Sequence, residues 1–320
     1  MNTSIVVLLS EAALSLYPIL IKKVDTNLAT QLVARLVTYS TLGFALASPS
    51  DIKQTWGTSS GILRSGLLGI MTLLHITSSY LAFQQLPAGI SMSLFYSYPI
   101  FNLIGAALGF GESFGAFQIF LITIAFLGVL LVSYSSKDES DPANANANDN
   151  ANANEKEGFF NFSSLNWVGI LAGLTAAITE SGMYFAVKTA KTSSKNGEPP
   201  NPFYAVLELY PAALPLLLAG IAYFKQKIDF RLETWIPMIL FNSIVGFIGY
   251  CLRFYAIPRV PTFLFSILSF IGIITSFIWG YLFVGEVPSW LSIIGGSLIG
   301  VSAGLAPLFQ RGADALLTPL

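Results

Sequence analysis

The chain has 320 residues, of which 54% are hydrophobic and 10% are charged, whereas an average soluble domain has roughly 25% charged residues. Its 16 Lys and Arg residues against 17 Asp and Glu residues give a net charge of −1, so no nucleic-acid partner is expected. One cysteine and one histidine are too few for an intramolecular disulfide or a Cys/His metal cluster, and no cofactor is predicted.

Apolar segments of bilayer-spanning length follow one another along the chain. A helix needs about 20 mostly apolar residues to cross the hydrocarbon core. Ten such segments are predicted, near residues 5–21, 28–47, 65–83, 90–110, 114–134, 165–187, 203–224, 235–257, 262–284 and 290–309. The first lacks the basic start and the cleavage site of a signal peptide, so it is interpreted as a span. We therefore predict an all-α integral membrane protein with the lipid bilayer as a partner.

The ten segments form two groups of five around a polar linker. Residues 1–134 hold the first five-helix repeat, residues 165–310 the second, and residues 311–320 a short tail. Residues 135–164 form the linker, in which alternating Asn and Ala lie between acidic residues, a composition typical of disorder. Because five is odd, the second repeat begins on the opposite side of the membrane. The predicted fold is an inverted-topology repeat of ten transmembrane helices.

The two halves share a spacing of residues at an offset of 174. Pro87 matches Pro261 and Glu112 matches Glu286, and a glycine precedes each glutamate. In each half we expect the proline to begin a helix that the Gly-Glu pair ends. Each glutamate is interpreted as structural, since a carboxylate complements the dipole at the start of the following helix.

The first half orders its landmarks as a helix-opening proline, the mid-helix Pro99, a stripe of small residues, the Gly-Glu pair and a late glycine. This order resembles the EamA unit of the drug/metabolite transporter superfamily. The second half repeats it, except that Ile273 replaces Pro99, so we expect it to lack the mid-helix kink. The resemblance implies a carrier of small organic solutes with both termini in the cytoplasm, and it does not name a substrate.

These observations predict a secondary transporter that moves a small organic metabolite or drug across a plasma or bacterial inner membrane by alternating access. The sequence contains no HExxH motif and no soluble catalytic domain, so no enzyme is predicted. Two alternatives remain open. An organellar nucleotide-sugar or sugar-phosphate exchanger would need more Lys and Arg within its spans. A non-transporting receptor or scaffold would need a larger loop or tail for its partners.

Charged residues within spans are costly and therefore functional candidates by default. Five occur here: Glu11, Arg35, Glu180, Glu208 and Arg253. We predict that Glu11 and Glu180 bind a proton or a cationic group of the substrate, with a fixed ion pair as the alternative. Arg35 is predicted to bind a substrate carboxylate or to neutralise Glu11. Glu208 and Arg253 lie near the same membrane surface and are predicted to form an ion pair or gate, unless Arg253 extends to the headgroups.

Polar residues on the fourth and ninth predicted spans complete the candidate site. Tyr98, Asn102 and Ser276 are predicted to line a cavity near the midplane, with close helix packing as the alternative. His75 is predicted to be a hydrogen-bonded packing residue rather than a proton relay. Glycines recur every four residues in the last span and predict a flat helix face, used within the fold or in a homodimer.

Overall fold

The computed structural model describes residues 2–86, 88–135, 166–190, 199–285 and 287–317. Side chains within these ranges are described except at positions 22, 88–90, 133–135, 284 and 308–317. Pro87 and Glu286 of the repeated spacing, and the predicted linker after its first residue, lie outside the described residues. Every regular element in the described part of the chain is a helix. The prediction of an all-α protein is therefore confirmed.

Sixteen α-helices occur in the described ranges. They are α1 (Thr3–Leu14), α2 (Tyr17–Lys23), α3 (Leu28–Leu46), α4 (Pro49–Trp56), α5 (Ser59–Gln85), α6 (Ala88–Phe95), α7 (Tyr98–Phe110), α8 (Ala116–Ser135), α9 (Trp167–Lys188), α10 (Pro202–Leu209), α11 (Ala213–Tyr223), α12 (Leu232–Phe241), α13 (Ile248–Ala256), α14 (Thr262–Ser269), α15 (Ile271–Val284) and α16 (Trp290–Leu317). A π-helical segment, Asn242–Phe247, joins α12 to α13. The last helix continues through most of the predicted tail, because the Ala and Leu residues there favour a helix.

Eight helical segments of the described residues are long and apolar enough to cross a membrane. Their bounds are Thr3–Ile21, Ser59–Gln85, Ser91–Phe110, Trp167–Lys188, Pro202–Tyr223, Leu232–Arg259, Thr262–Phe283 and Trp290–Pro307. Two further predicted spans are not among the eight. The helix α3 carries Gln31 and Arg35 among several hydroxyl residues, and the apolar part of α8, Ala116–Val132, is shorter than the others. The chain is therefore a multi-pass membrane protein.

Several membrane-spanning segments consist of two helices with a break between them. The breaks before α2 and α7 are followed at once by Pro18 and Pro99, whose rings cannot continue the preceding helix. The second repeat also has a break, at Phe270 between α14 and α15, although Ile273 stands where the first repeat has Pro99. The expectation that this kink is missing was wrong. Tyr96, beside the first break, packs directly against Gly272, so contact between the two breaks accompanies the second one.

The two helices that lead to the Gly-Glu pairs end in the same way. Gly111 after α7 and Gly285 after α15 have φ angles of 66° and 77°, the left-handed conformation that glycine adopts without steric strain. After the first of these ends, the carboxylate of Glu112 accepts a hydrogen bond from Thr262 at 2.9 Å. Glu112 thus stabilises the contact between the two repeats at this membrane surface.

The helices of the two halves pack in pairs that are equivalent under exchange of the halves. The helix α5 forms the third span of the first half, and it packs on α9, which forms the first span of the second half. In the equivalent pair, α1 of the first span packs on α13 of the third span of the second half. The helices α8 and α16, which are last in each half, pack on each other. Hydrogen bonds join the start of α9 to the end of α5, from Asn166 to Gln85, and the start of α5 to the end of α9, from Arg64 to Ala186. The packing therefore has the pseudo-twofold pattern of a duplicated fold.

Gly295 is the glycine at which the last helix approaches its neighbour most closely. A Cβ atom at Gly295 would lie 2.5 Å from the carbonyl oxygen of Gly128, and one at Gly128 would lie 2.6 Å from that of Gly295. By contrast, Gly296 and Gly300 would meet only Ile274, at ordinary contact distances. The glycines that recur every four residues, Gly296 and Gly300, thus lie one residue away from the glycine that packs on α8. Periodicity alone does not fix the rotation of a helix about its axis.

We expect Gly295→Leu to lower the melting temperature of the detergent-purified protein. The added side chain overlaps the backbone of α8, and overpacking of this kind costs about 1–3 kcal/mol. Gly304→Leu is the matched control in the same helix, since a Cβ there meets nothing within 4 Å. Equal melting temperatures for the two variants would contradict the close α8–α16 contact.

Candidate functional site

Buried charged and polar side chains meet between the two halves, at the middle of the helices. We call this group the central ion cluster, and its members are Glu11 on α1, His75 on α5, Tyr98 on α7, Glu180 on α9 and Arg253 on α13. None of the five side chains is more than a few per cent exposed. The cluster brings together three residues that were predicted to bind substrate or protons, and one that was predicted to form a gate.

Arg253 is the centre of this cluster. Its Nη2 lies 2.7 Å from both carboxylate oxygens of Glu11 and 2.6 Å from the Tyr98 hydroxyl. Its Nε donates to Glu11 at 3.1 Å, and its Nη1 donates to Glu180. The Tyr98 hydroxyl in turn donates to Glu11 at 3.3 Å. One guanidinium therefore holds two carboxylates, and its planar fork suits the two-oxygen contact with Glu11.

His75 supplies a site for a shared proton. Its Nδ1 lies 3.1 Å from the carbonyl oxygen of Ala176, and a carbonyl oxygen can only accept, so Nδ1 carries a hydrogen. The other nitrogen, Nε2, lies 3.2 Å from Oε2 of Glu180, which has no hydrogen-bond partner elsewhere in the described residues. A neutral imidazole and an ionised carboxylate would face each other as two acceptors. One proton between Nε2 and Oε2 satisfies both atoms.

A second buried arginine, Arg35, lies among aromatic rings rather than carboxylates. Its Cζ is 4.6 Å from the ring centre of Tyr17, 5.4 Å from Tyr39, 5.6 Å from Tyr80 and 5.1 Å from Tyr250. We call these four residues the tyrosine box. The Tyr250 ring also lies 5.7 Å from Cζ of Arg253, so the box adjoins the central ion cluster.

The π-helical segment after α12 completes one wall of the tyrosine box. Asn242 in this segment accepts a hydrogen bond of 2.9 Å from the Tyr17 hydroxyl, which lies 2.7 Å from that of Tyr39. A side chain at Gly246 would overlap both hydroxyls, so the glycine makes room for them. Such π-helical segments are often found at functional sites. This segment was not predicted, because no residue pattern distinguishes it from the surrounding helix.

The arginine in the box has an unusual charge balance. No carboxylate of the described residues forms an ion pair with Arg35, and its Nε and Nη2 have no hydrogen-bond partner of normal geometry there. Cation–π contacts contribute about 0.5–2 kcal/mol each. Burying an ion costs several kcal/mol, and contacts with four rings offset part of this cost for the guanidinium without neutralising its charge. The suggestion that Arg35 neutralises Glu11 was wrong, because Arg253 takes that place.

Glu208 pairs with a residue that we did not single out. Its carboxylate lies 2.8 Å from Nε of Arg64 on α5 and 2.7 Å from the Tyr204 hydroxyl. We predicted a Glu208–Arg253 pair because both residues lie at a similar depth below one surface. Depth does not fix the direction in which a helix face points, and Arg253 faces the two carboxylates of the central ion cluster instead. The ion pair at this surface is therefore Glu208–Arg64.

The remaining candidates have different surroundings. Asn102 is fully buried, and both atoms of its amide lack a hydrogen-bond partner in the described residues. Ser276 is half-buried and donates to the carbonyl oxygen of Ile273 in its own helix at 2.7 Å. Unlike Tyr98, neither side chain forms a hydrogen bond with a described member of the central ion cluster. Their role in lining a cavity stays a prediction.

A cleft of about 600 Å³ opens at the membrane surface opposite the Glu208–Arg64 pair. Lys23, Asp25 and Arg231 lie at its mouth, and Phe241 lines it further in. The Phe241 ring packs edge-on against Tyr17 with 5.1 Å between the ring centres. Through this contact the wall of the cleft touches the tyrosine box around Arg35.

The mouth of the cleft is held by the loop before α12. Asp229 accepts hydrogen bonds from Arg231, which hold the pKa of its carboxyl well below its ordinary value. Its backbone N–H donates to Thr30 at 2.9 Å, and Asn27 donates to the carbonyl oxygen of Lys227 at 2.9 Å. These contacts join the loop to the start of α3, which carries Arg35 further along.

A helical bundle with paired repeats and buried charges at its centre has the architecture of a membrane transporter. The model of the EamA-like transporter family matches residues 1–134 and 167–306, and the chain belongs to this family. The resemblance predicted from the sequence is thus confirmed, as is the prediction of a multi-pass protein in a plasma or bacterial inner membrane. The family also fits a small-molecule substrate.

The individual proteins that the chain resembles have low sequence identity to it. The pseudopaline exporters CntI of Pseudomonas aeruginosa strains UCBPP-PA14 and PAO1 are each 24% identical to the chain over 234 residues, which are 73% of this chain and 71% of each exporter. A protein of known crystal structure is similar with a TM-score of 0.69 and 17% identity, over 98% of this chain and 99% of that one. This structural likeness supports the fold alone.

We expect Arg253→Met to lower the melting temperature of the purified protein strongly at neutral pH. Removing one member of a buried ion pair costs about 3–5 kcal/mol, because carboxylates remain without a partner. Arg64→Met is the matched control, and we expect a smaller loss because the Arg64 side chain is 41% exposed. If Arg64→Met destabilised the protein as much as Arg253→Met, the central place of Arg253 would be wrong.

Proposed function

We propose that this chain is a secondary transporter that exports a small organic metabolite or drug in exchange for protons, by alternating access. The observation that carries the proposal is the central ion cluster, in which buried charges from both halves of the chain meet. The two relatives named as exporters support the direction. The substrate of those relatives is not transferred to this chain at their level of identity.

Ten spans in two inverted repeats are part of this proposal. The helices α3 and α8 have 19 and 20 residues, about 28–30 Å at 1.5 Å per residue, which matches the hydrocarbon core. Arg35 does not count against α3, since its side chain faces the tyrosine box and not the lipid. With these two helices the chain crosses the membrane five times in each half. The exchange-equivalent packing of α5 on α9 and α1 on α13 supports the inversion.

Three contacts of the central ion cluster cross between the halves, namely Glu11 with Arg253, Tyr98 with Arg253 and His75 with Glu180. A proton on Glu11 removes the charge that holds Arg253, and a cationic group of a substrate competes with Arg253 for the same oxygens. A proton and a substrate therefore act on the same contact between two rigid halves. Competition for one set of carboxylates is a physical basis for exchange, because each bound species must leave before the other binds.

The opposite membrane surface carries a contact that fits a gate. Arg64 belongs to the first half and Glu208 to the second, and Arg64 also donates to the carbonyl oxygen of Ala186 at 3.1 Å. The pair closes its surface while the cleft is open at the other. Rocking of one half against the other would separate Arg64 from Glu208 and narrow the cleft, as alternating access requires.

The test uses purified protein in liposomes with a pH-sensitive dye inside. Amino acids, nucleosides, organic cations and drugs are presented with and without a pH gradient, and flux of one class should depend on the gradient. We expect Glu11→Gln to reduce gradient-driven flux at least tenfold, because the amide cannot exchange a proton with water. Glu157→Gln, in the predicted linker, is the matched control and should leave flux unchanged.

Two results would count against the proposal. Flux that is the same in Glu11→Gln at every pH would remove the role of Glu11 in proton exchange. The absence of flux for every class of compound, with protein that is folded and inserted, would favour a receptor or scaffold without transport activity.

A second prediction concerns the gate. We expect Arg64→Glu and Glu208→Arg each to reduce flux, because like charges then meet at one surface, and the double variant to recover part of it. The measurement is initial flux in liposomes at matched protein content. A double variant no faster than the slower single variant would mean that the pair is not the closing contact.

A further inference from the structure

We propose that the tyrosine box around Arg35 is the subsite that takes a carboxylate group of the transported molecule. The inference rests on the proposed function, because it names the chemical class of the substrate. Three observations carry it: the missing counter-ion of Arg35, the hydrogen-bond donors at and beside its guanidinium, and a cleft whose wall contacts the box.

The protein supplies no anion for Arg35 in the part of the chain that the structure describes. The guanidinium is 2% exposed, so water does not compensate its charge. The carboxylates buried within the described spans are already held by Arg253 or Arg64: Glu11, Glu180 and Glu208. A positive charge that is kept buried without a counter-ion is suited to an anion that arrives with a ligand.

The donors around Arg35 have the geometry of a carboxylate site. Nε and Nη2 of Arg35 lie on the same edge of the guanidinium fork, and neither has a carboxylate partner in the described residues. That edge matches the two oxygens of a carboxylate. The hydroxyls of Tyr80, Tyr210 and Tyr250 lie within hydrogen-bonding reach of the guanidinium. Because a hydroxyl that accepts from Arg35 keeps its own hydrogen, these hydroxyls and the guanidinium edge can donate to one anion.

The box is placed between an entrance and the central ion cluster. On one side, Phe241 in the wall of the cleft touches Tyr17, which covers Arg35. On the other, the Tyr250 ring contacts Arg35 and Arg253 alike, at 5.1 and 5.7 Å. A molecule whose carboxylate lies on Arg35 can direct a cationic group toward the carboxylates that hold Arg253. Recognition of an anion and proton exchange thus occupy neighbouring sites.

The experiment measures binding to the full chain, purified in detergent, as the shift in its melting temperature. The probes are three carboxylates, namely acetate, benzoate and L-phenylalanine, each compared with its amide: acetamide, benzamide and L-phenylalaninamide. We expect at least one carboxylate to stabilise the wild-type protein more than its amide does. No excess stabilisation by any of the three carboxylates would overturn the proposal.

Variants assign the effect to the box. Arg35→Gln should abolish the difference between carboxylate and amide, and Arg35→Lys should weaken binding about tenfold or more, since an ammonium lacks the paired donors. Tyr210→Phe should weaken binding without removing the charge, so it serves as the test if Arg35→Gln does not fold. Arg259→Gln is the control and should keep the full difference, because the Arg259 guanidinium donates to the carbonyl oxygen of Tyr255, outside the box and the gate. A difference of wild-type size in Arg35→Gln or Arg35→Lys would place the carboxylate elsewhere.

Liposome flux separates this inference from the transport proposal. If Arg35→Gln slows carboxylate-bearing compounds but not cations without a carboxylate, both stand. If flux is coupled to protons yet Arg35→Gln treats both kinds of compound alike, the subsite is wrong and the transporter remains. Carboxylate binding at Arg35 without any flux would support the subsite and remove the proposed function.

Discussion

The buried contact of Arg253 with Glu11 and Glu180 is the interaction on which the rest of the structure depends. Burying a charge within a bilayer is costly unless the charge is paired and hydrogen-bonded, so the pairing of these three residues holds their helices together at the interface of the two halves. His75 and Tyr98 complete the hydrogen bonding and bring two more helices to the same point. Because the participants come from both halves, the condition that satisfies the charges also joins the repeats.

The irregular places in the helices make this arrangement possible. Breaks before α2 and α7, at Phe270, and the π-helical segment after α12 all lie within membrane-spanning segments. At such places a helix changes direction or widens, which lets tyrosine rings and their hydroxyls reach the interior. In the π-helical segment, the positions of the Tyr17 and Tyr39 hydroxyls depend on Gly246, since any side chain there would overlap both. The fold and the site are therefore shaped by the same local departures from regular helix.

The two central arginines differ in how their charges are compensated. Arg253 is held by two carboxylates, which can exchange it for a proton or a cation, whereas Arg35 has tyrosine rings and hydroxyls around it and no carboxylate partner in the described residues. The first arrangement suits a contact that is broken and remade during a transport cycle. The second suits a fixed positive site for an anion. The Tyr250 ring contacts both guanidinium groups, so the two sites adjoin each other.

Hydropathy and spacing along the chain predicted most of the membrane-spanning helices, the duplication, the family and the five buried charges. These are local properties, since bilayer thickness sets a segment length and a charge within such a segment is buried from lipid. The partners of these residues follow from the packing of the folded chain: Glu208 pairs with Arg64 and not with Arg253, Gly295 and not Gly296 contacts α8, and Arg35 lies among tyrosines. Each of these depends on how far a helix is rotated about its own axis and which helix lies beside it. Hydropathy and spacing record the depth of a residue in the membrane but not that rotation, so they locate the charges without pairing them.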